Sequence, residues 1–288
     1  MTAIATVQPP PAPAATATDL RTGTARTIGR AVWNLVWPIL VAVGLVLIGW
    51  IIFLKAFDVA PVVGKSPKAV WQYLFTDPEA AANRSAVFGF VRITLHDAAL
   101  GFAGGMLAAL VVAALFVLFR PAELAFMPIA MLLRSVPLVA MTPIILLIFK
   151  RGSAGVAVIG GIVVFFPALV NIVFGLRSAS QQTTDLVLAF GGNRWTVIRK
   201  VAIPTALPAI FASARISVPG ALIGALVAEW LATGRGIGGA ILNAIGAFDY
   251  GQVWADIVVL TGVSLLLYTV VGVIETVVLT AYGQNNSH

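Results

Sequence analysis

The 288-residue chain contains no cysteine. That excludes disulfide bridges, cysteine-ligated zinc, iron–sulfur clusters and thiol catalysis. Its histidines, His96 and His288, lie far apart in sequence and are too few for a metal centre or a nucleophile–base pair. Charge is scarce as well: Asp, Glu, Lys and Arg make up 10% of the residues, against 60% hydrophobic, and the mean hydropathy is +1.00. Water-soluble domains carry about 25% charged residues, so this chain is expected to live in lipid. The net charge of +7 comes without a base-reading motif or a basic stripe interleaved with aromatics. It therefore points away from nucleic acid and towards loops at an anionic lipid surface.

What the sequence has in quantity is long apolar runs. Residues 1–27, rich in Ala, Thr and Pro, are expected to form a disordered cytoplasmic tail, and residues 283–288 a second one. Between them, apolar spans are predicted at about 31–54, 98–119, 124–149, 155–176, 207–231 and 256–281. At about 1.5 Å per residue each can cross a hydrocarbon core of roughly 30 Å. The fold class expected is an all-α membrane protein with a bundle of six transmembrane helices in one membrane domain, 28–282. A cleaved secretory signal would have an apolar stretch of only about 7–15 residues, so the first run reads as an uncleaved helix. His96-Asp97 is expected to mark the outer end of the second helix, and Pro137 and Pro143 to bend or unwind the third. Basic residues are balanced across the membrane. The cluster Arg21, Arg26 and Arg30 before the first span favours cytoplasmic N- and C-termini.

The loop 177–206 reads RSASQQTTDLVLAFGGNRWTVIRKVAIPTA. Two short helices are predicted in it. Thr184 or Asp185 caps the first, Gly191-Gly192 ends it, Asn193 caps the second, and Pro204 closes the second before the next span. In a helical projection of 194–203, Trp195, Val197, Ile198, Val201 and Ala202 share one arc. Thr196, Arg199 and Lys200 face away, and Arg194 breaks the pattern. Such a helix can lie on anionic lipid or dock on a partner protein.

The order Asp185-Leu186-Val187-x3-Gly191-x9-Val201-x-Ile203-Pro204 resembles the signature loop of ATP-binding-cassette importer permeases, E-A-A-x3-G-x9-I-x-L-P. The Gly-to-Pro spacing matches in full, while Leu186 and Val187 stand where the family has two alanines. Ser66-Pro67-x-x-Val70-Trp71, the Pro137 and Pro143 pair, Ala206-Leu207-Pro208-Ala209-Ile210-Phe211-Ala212, Val227-Ala228-Glu229 and Gly236-Ile237-Gly238 are similar to the nitrate, sulfonate and taurine type of permease. The resemblance implies a type I importer fold in a bacterial inner membrane, with 177–206 as a coupling loop. Asp185, Gly191, Arg194, Trp195, Arg199, Lys200 and Pro204 would then meet a cytoplasmic ATPase. It also implies a homodimer of permeases, two ATPase subunits and an extracytoplasmic solute-binding protein. ATP and magnesium would sit on the ATPase, no cofactor would be bound by this chain, and it would catalyse no reaction. The cargo implied is a small solute such as nitrate, taurine or an alkanesulfonate.

Two nucleotide-site patterns are set aside. Gly64-Lys65-Ser66 lacks the first P-loop glycine, since Val59 stands there, and Gly234-x-Gly236-x-x-Gly239 follows an apolar span instead of a strand. Inside the spans, Arg134 and Arg215 each cost roughly 2.5–3.5 kcal/mol on insertion scales. They are expected either to pair with a carbonyl or with an acid such as Glu229, or to line the translocation pathway and favour an anion, with Glu229 as a gate residue. An ion-coupled secondary transporter is the alternative, but it would place acids near the bilayer midplane.

Overall fold

The amphipathic and apolar runs fold into helices throughout the described residues, Trp37 and 41–281 of a computed structural model, and no strand occurs among them. The tails 1–27 and 283–288 and most of the first half of the first span lie outside the described residues. The chain divides at Pro67 into two compact units. In the first, α1 (Val41–Ala56) is apolar on all sides, with Leu45, Val46, Ile48 and Ile52 exposed. Exposure of this kind is what a lipid-facing helix needs.

In the second unit, α2 (Pro67–Trp71) runs into a π-turn at Gln72–Thr76 and is tied to the next helix by polar contacts. Asn83 Nδ2 donates to the Tyr73 carbonyl at 3.0 Å, and Arg84 NH1 donates to the Leu74 carbonyl at 2.6 Å. Helix α3 (Ala80–Leu118) begins well before the expected Ala98. The charged residues Arg84, Arg92 and Asp97 lie on its polar half, so searching for uncharged runs found only the apolar half. His96-Asp97 does not end the helix; it lies within it, with His96 Nδ1 3.3 Å from Asp97 Oδ1.

Helices α4 (Arg120–Leu133) and α5 (Leu138–Phe149) meet at 108°, a broken span or a re-entrant turn. Arg134 caps α4 and Pro137 precedes α5 in an extended conformation. The break therefore falls at Pro137, as expected, because a proline disfavours helical backbone at the residue before it. Pro143 sits inside a continuous α5. Helix α6 (Ser153–Arg177) matches the expected fourth span closely and is the most enclosed, with Ile159, Val164, Leu169 and Ile172 fully buried.

Helices α7 (Gln181–Ala189) and α8 (Arg194–Val197) occupy the loop, and α8 passes through a π-turn (Ile198–Ala202) straight into α9 (Ile203–Ala228). A second π-turn, Glu229–Thr233, extends α9. Then come α10 (Gly236–Gly246) and α11 (Tyr250–Ala281). Pro204 does not close the second loop helix, as the sequence suggested. It sits in the first turn of α9, where its missing N–H is tolerated, and the π-turn before it shifts the bonding register.

Helices α3, α6 and α9 pack backbone against backbone. A Cβ on Gly101 would lie 2.8 Å from the Gly160 Cα, and one on Gly224 2.7 Å from the same atom. Lipid tails are as apolar as leucine, so no hydrophobic effect drives these helices together; small residues gain van der Waals contact by letting backbones approach.

Candidate coupling segment and intramembrane charges

The α7–α8 segment is punctuated by its own side chains. Ser180, and neither Thr184 nor Asp185, caps α7: its hydroxyl accepts from the Thr183 N–H at 3.2 Å, and the helix starts one turn earlier than its acidic residue suggested. Gly191, at φ +80°, turns the chain, with Gly191 and Gly192 N–H groups donating back to the Leu188 and Val187 carbonyls. Asn193 then caps α8, accepting from the Thr196 N–H at 2.8 Å, while Thr196 Oγ1 accepts from the Asn193 N–H. This is a capping box in which a threonine replaces the usual glutamate.

The expected apolar arc divides in two. Ile198, Val201 and Ala202 are buried against the chain's own helices. Trp195 is 55% exposed and joins Leu186, Leu188 and Phe190, the last 84% exposed, as uncovered apolar surface. Asp185, Arg194, Arg199 and Lys200 are exposed around it. Arg194, the residue that broke the arc, reaches back to donate to the Leu118 carbonyl at the end of α3, 3.4 Å away. Beside it Arg177 pairs with Glu123, tying the end of α6 to the start of α4. The segment is thus anchored to the end of α3 through Arg194.

The intramembrane charges have different settings. Arg215 does not meet Glu229. Its NH1 lies 3.1 Å from Glu275 Oε2 on α11, and its guanidinium stands 5.3 Å over the Tyr268 ring. Glu275 was not expected as its partner because it lies near the end of the last apolar run. Arg134 is exposed at the α4–α5 break, with no acidic partner among the described residues. Glu229 is fully buried where α9 meets α10. A cleft of about 510 Å³ between α9 and α11 is lined by Pro219, Leu222, Ile223, Leu226, Leu260, Thr261, Ser264, Leu265 and Tyr268, none of them charged. Another cavity, of about 570 Å³ beside α5, has Arg151 in its wall. Among the described residues no group of three His, Asp or Glu side chains could hold a metal ion.

Residues 101–281, which hold the broken α4–α5 pair, the anchored loop and the glycine-packed helices, match the family profile of the binding-protein-dependent transport system inner membrane component. The chain belongs to this family. An ABC transporter permease protein of Haemophilus influenzae is 30% identical over 235 residues, covering 82% of this chain and 93% of that one. The formylaminopyrimidine transport permease of Halalkalibacterium halodurans is 27% identical, over 68% of this chain and 79% of its own length. An aliphatic sulfonates transport permease of Bacillus subtilis is 29% identical, over 66% and 68% respectively. The chain is the multi-pass permease subunit of an ABC importer, and this family works with an ATPase and a binding protein. In the dinucleotide-like run, Gly234 and Gly236, both at positive φ, turn the chain of this permease into α10, and Gly239 lies within that helix.

Proposed function

We propose that the α7–α8 segment is the coupling element on which the cytoplasmic ATPase docks, in a permease of six spans with both termini cytoplasmic that acts as a homodimer. The observation that carries this reading is the uncovered apolar group Leu186, Leu188, Phe190 and Trp195, held on a capped and anchored loop. Large apolar side chains exposed together on a rigid loop are the usual material of an interface centre. Arg199 and Lys200 beside them suit an acidic rim. Leu186 in place of an alanine enlarges that apolar surface, while Val187 is half-buried. The ATPase supplies hydrolysis, with its ATP and magnesium, and the permease supplies the path. Anionic lipid surrounds the loops, and a solute-binding protein delivers cargo at the other face.

The cargo we propose is a small oxyanion or sulfonate. The named sulfonate permease supports it, and so does Arg134, an unpaired guanidinium at the break in a span, which can favour an anion. Arg215, neutralised by Glu275, serves the packing of α9 on α11.

The coupling reading is tested by co-purification. Trp195→Ala and Gly191→Asp are expected to weaken ATPase capture by roughly tenfold or more while membrane insertion is unchanged; wild-type capture by both variants would overturn it. Uptake into vesicles is expected to need internal ATP, and uptake driven by an ion gradient alone would favour a secondary transporter. For the cargo, Arg134→Gln should lose sulfonate uptake while keeping its level in the membrane.

A further inference from the structure

Glu229 is fully buried, and the coupling reading gives it no part. Its Oε2 accepts a hydrogen bond from the Gly238 N–H at 2.7 Å. Thr94 Oγ1, on α3, accepts one from the Ile237 N–H at 2.9 Å. Both N–H groups belong to the first turn of α10, where the helix itself offers no carbonyl to receive them. Gly236 has φ +70°, and a Cβ there would strike the Glu229 carboxylate; one on Gly238 would lie 2.8 Å from the Glu229 Cβ. The two glycines make the space that the carboxylate fills.

The second observation concerns what Glu229 is attached to. From Arg194 through both π-turns to Thr233 the chain is helical without a break, 40 residues or about 60 Å. One end of this rod carries the coupling segment. The other grips α10.

We propose that Glu229 is a positioning residue that fastens α10 to the far end of the rod, so that displacement of α8 by the ATPase reaches α10. A load on α10 returns by the same route. The inference rests on the coupling reading of α7–α8 and adds the connection from that segment to the opposite end of the molecule. A single side chain suffices because its hydrogen bond to the Gly238 N–H is buried away from competing water and the geometry on both sides is fixed, by the helix on one and by glycine-only backbone on the other.

The test is hydrogen exchange on the assembled complex of permease and ATPase in lipid nanodiscs, with and without ATP and magnesium. In the wild type, ATPase binding should protect α7–α8, and nucleotide should change exchange at Gly236–Gly246. In Glu229→Ala, α10 should exchange roughly tenfold faster and no longer respond to nucleotide, while protection of α7–α8 persists. Glu229→Gln, whose amide oxygen still accepts from Gly238, should retain the response. Should Glu229→Ala fail to assemble, Glu229→Leu, which keeps nearly the same volume and removes the acceptor for Gly238, carries the same comparison. A nucleotide response at α10 that survives Glu229→Ala or Glu229→Leu overturns the proposal, as does loss of the response in Glu229→Gln. So does a wild type in which α7–α8 responds and α10 does not. Absence of protection at α7–α8 itself would instead overturn the coupling reading.

Discussion

Arg215 illustrates how a residue type is legible and its partner is not. A lone arginine in an apolar span must be compensated, and the sequence said as much. Which of two glutamates compensates it depends on whether α9 faces α11 or its own end, and that is a matter of packing. Removing the arginine leaves Glu275 enclosed without its cation. Arg215→Ala is expected to cost about 1–3 kcal/mol of stability in detergent, read from thermal unfolding. Adding Glu275→Gln should restore part of it. Tyr73 gives a second residue-scale prediction outside the spans. Burial, then the charges of Asp249 and Asp256, raise its phenol to about 12 from 10.0. The folded state thus holds a proton that the unfolded chain releases first. Stability from this source is intact below pH 10 and falls as the pH rises from 10.0 through about 12. Tyr73→Phe should flatten that part of the alkaline unfolding curve. At this scale Gly191, Asn193 and Pro137 were readable because each acts through local backbone geometry. Ser180 as a cap and Glu229 as the receiver of Gly238 were not, the first for want of a helix start and the second for want of a contact.

At the scale of elements, the apolar cores of the spans were visible in composition and their continuations were not. Charges on the first half of α3 hid a helix that rises beyond the apolar zone, and Pro204 disguised the junction of α8 with α9 as a boundary. A helix outside lipid need not be uncharged, and a proline in a first turn need not stop one. The glycine contacts were equally hidden, since Gly101, Gly160 and Gly224 follow no fixed period. They allow a sharp comparison. A Cβ at Gly101 would sit 2.8 Å from the Gly160 Cα, but one at Gly161 only 3.6 Å from the Gly105 N, an ordinary contact. Gly101→Ala should therefore lower stability by about 1–3 kcal/mol, whereas Gly161→Ala should leave the unfolding temperature within about one degree of wild type. Equal effects from the two would contradict the backbone contact.

For the whole molecule, the missing cysteines become an experimental advantage. Phe190 and Phe248 are both highly exposed, the first between α7 and α8 and the second between α10 and α11. As single cysteines, Phe190→Cys should react with an impermeant thiol reagent only in inside-out vesicles and Phe248→Cys only in right-side-out ones. The reverse pattern would invert the proposed orientation, which the balanced basic residues left undecided. The family was legible in the sequence, because the signature loop is a local spacing. The route from loop to opposite end was not, because it runs through a helix that composition divides.

Glycine packing also bears on where this permease can yield. Helices that touch backbone to backbone have no side-chain cushion: a slight rotation of α3 against α6, or of α6 against α9, drives main-chain atoms into each other. The α9–α11 contact is different, padded by Arg215, Tyr268 and a cleft of about 510 Å³. If access to the two faces alternates, the slip plane belongs there, with the three glycine-welded helices travelling as one piece and α11 sliding past them.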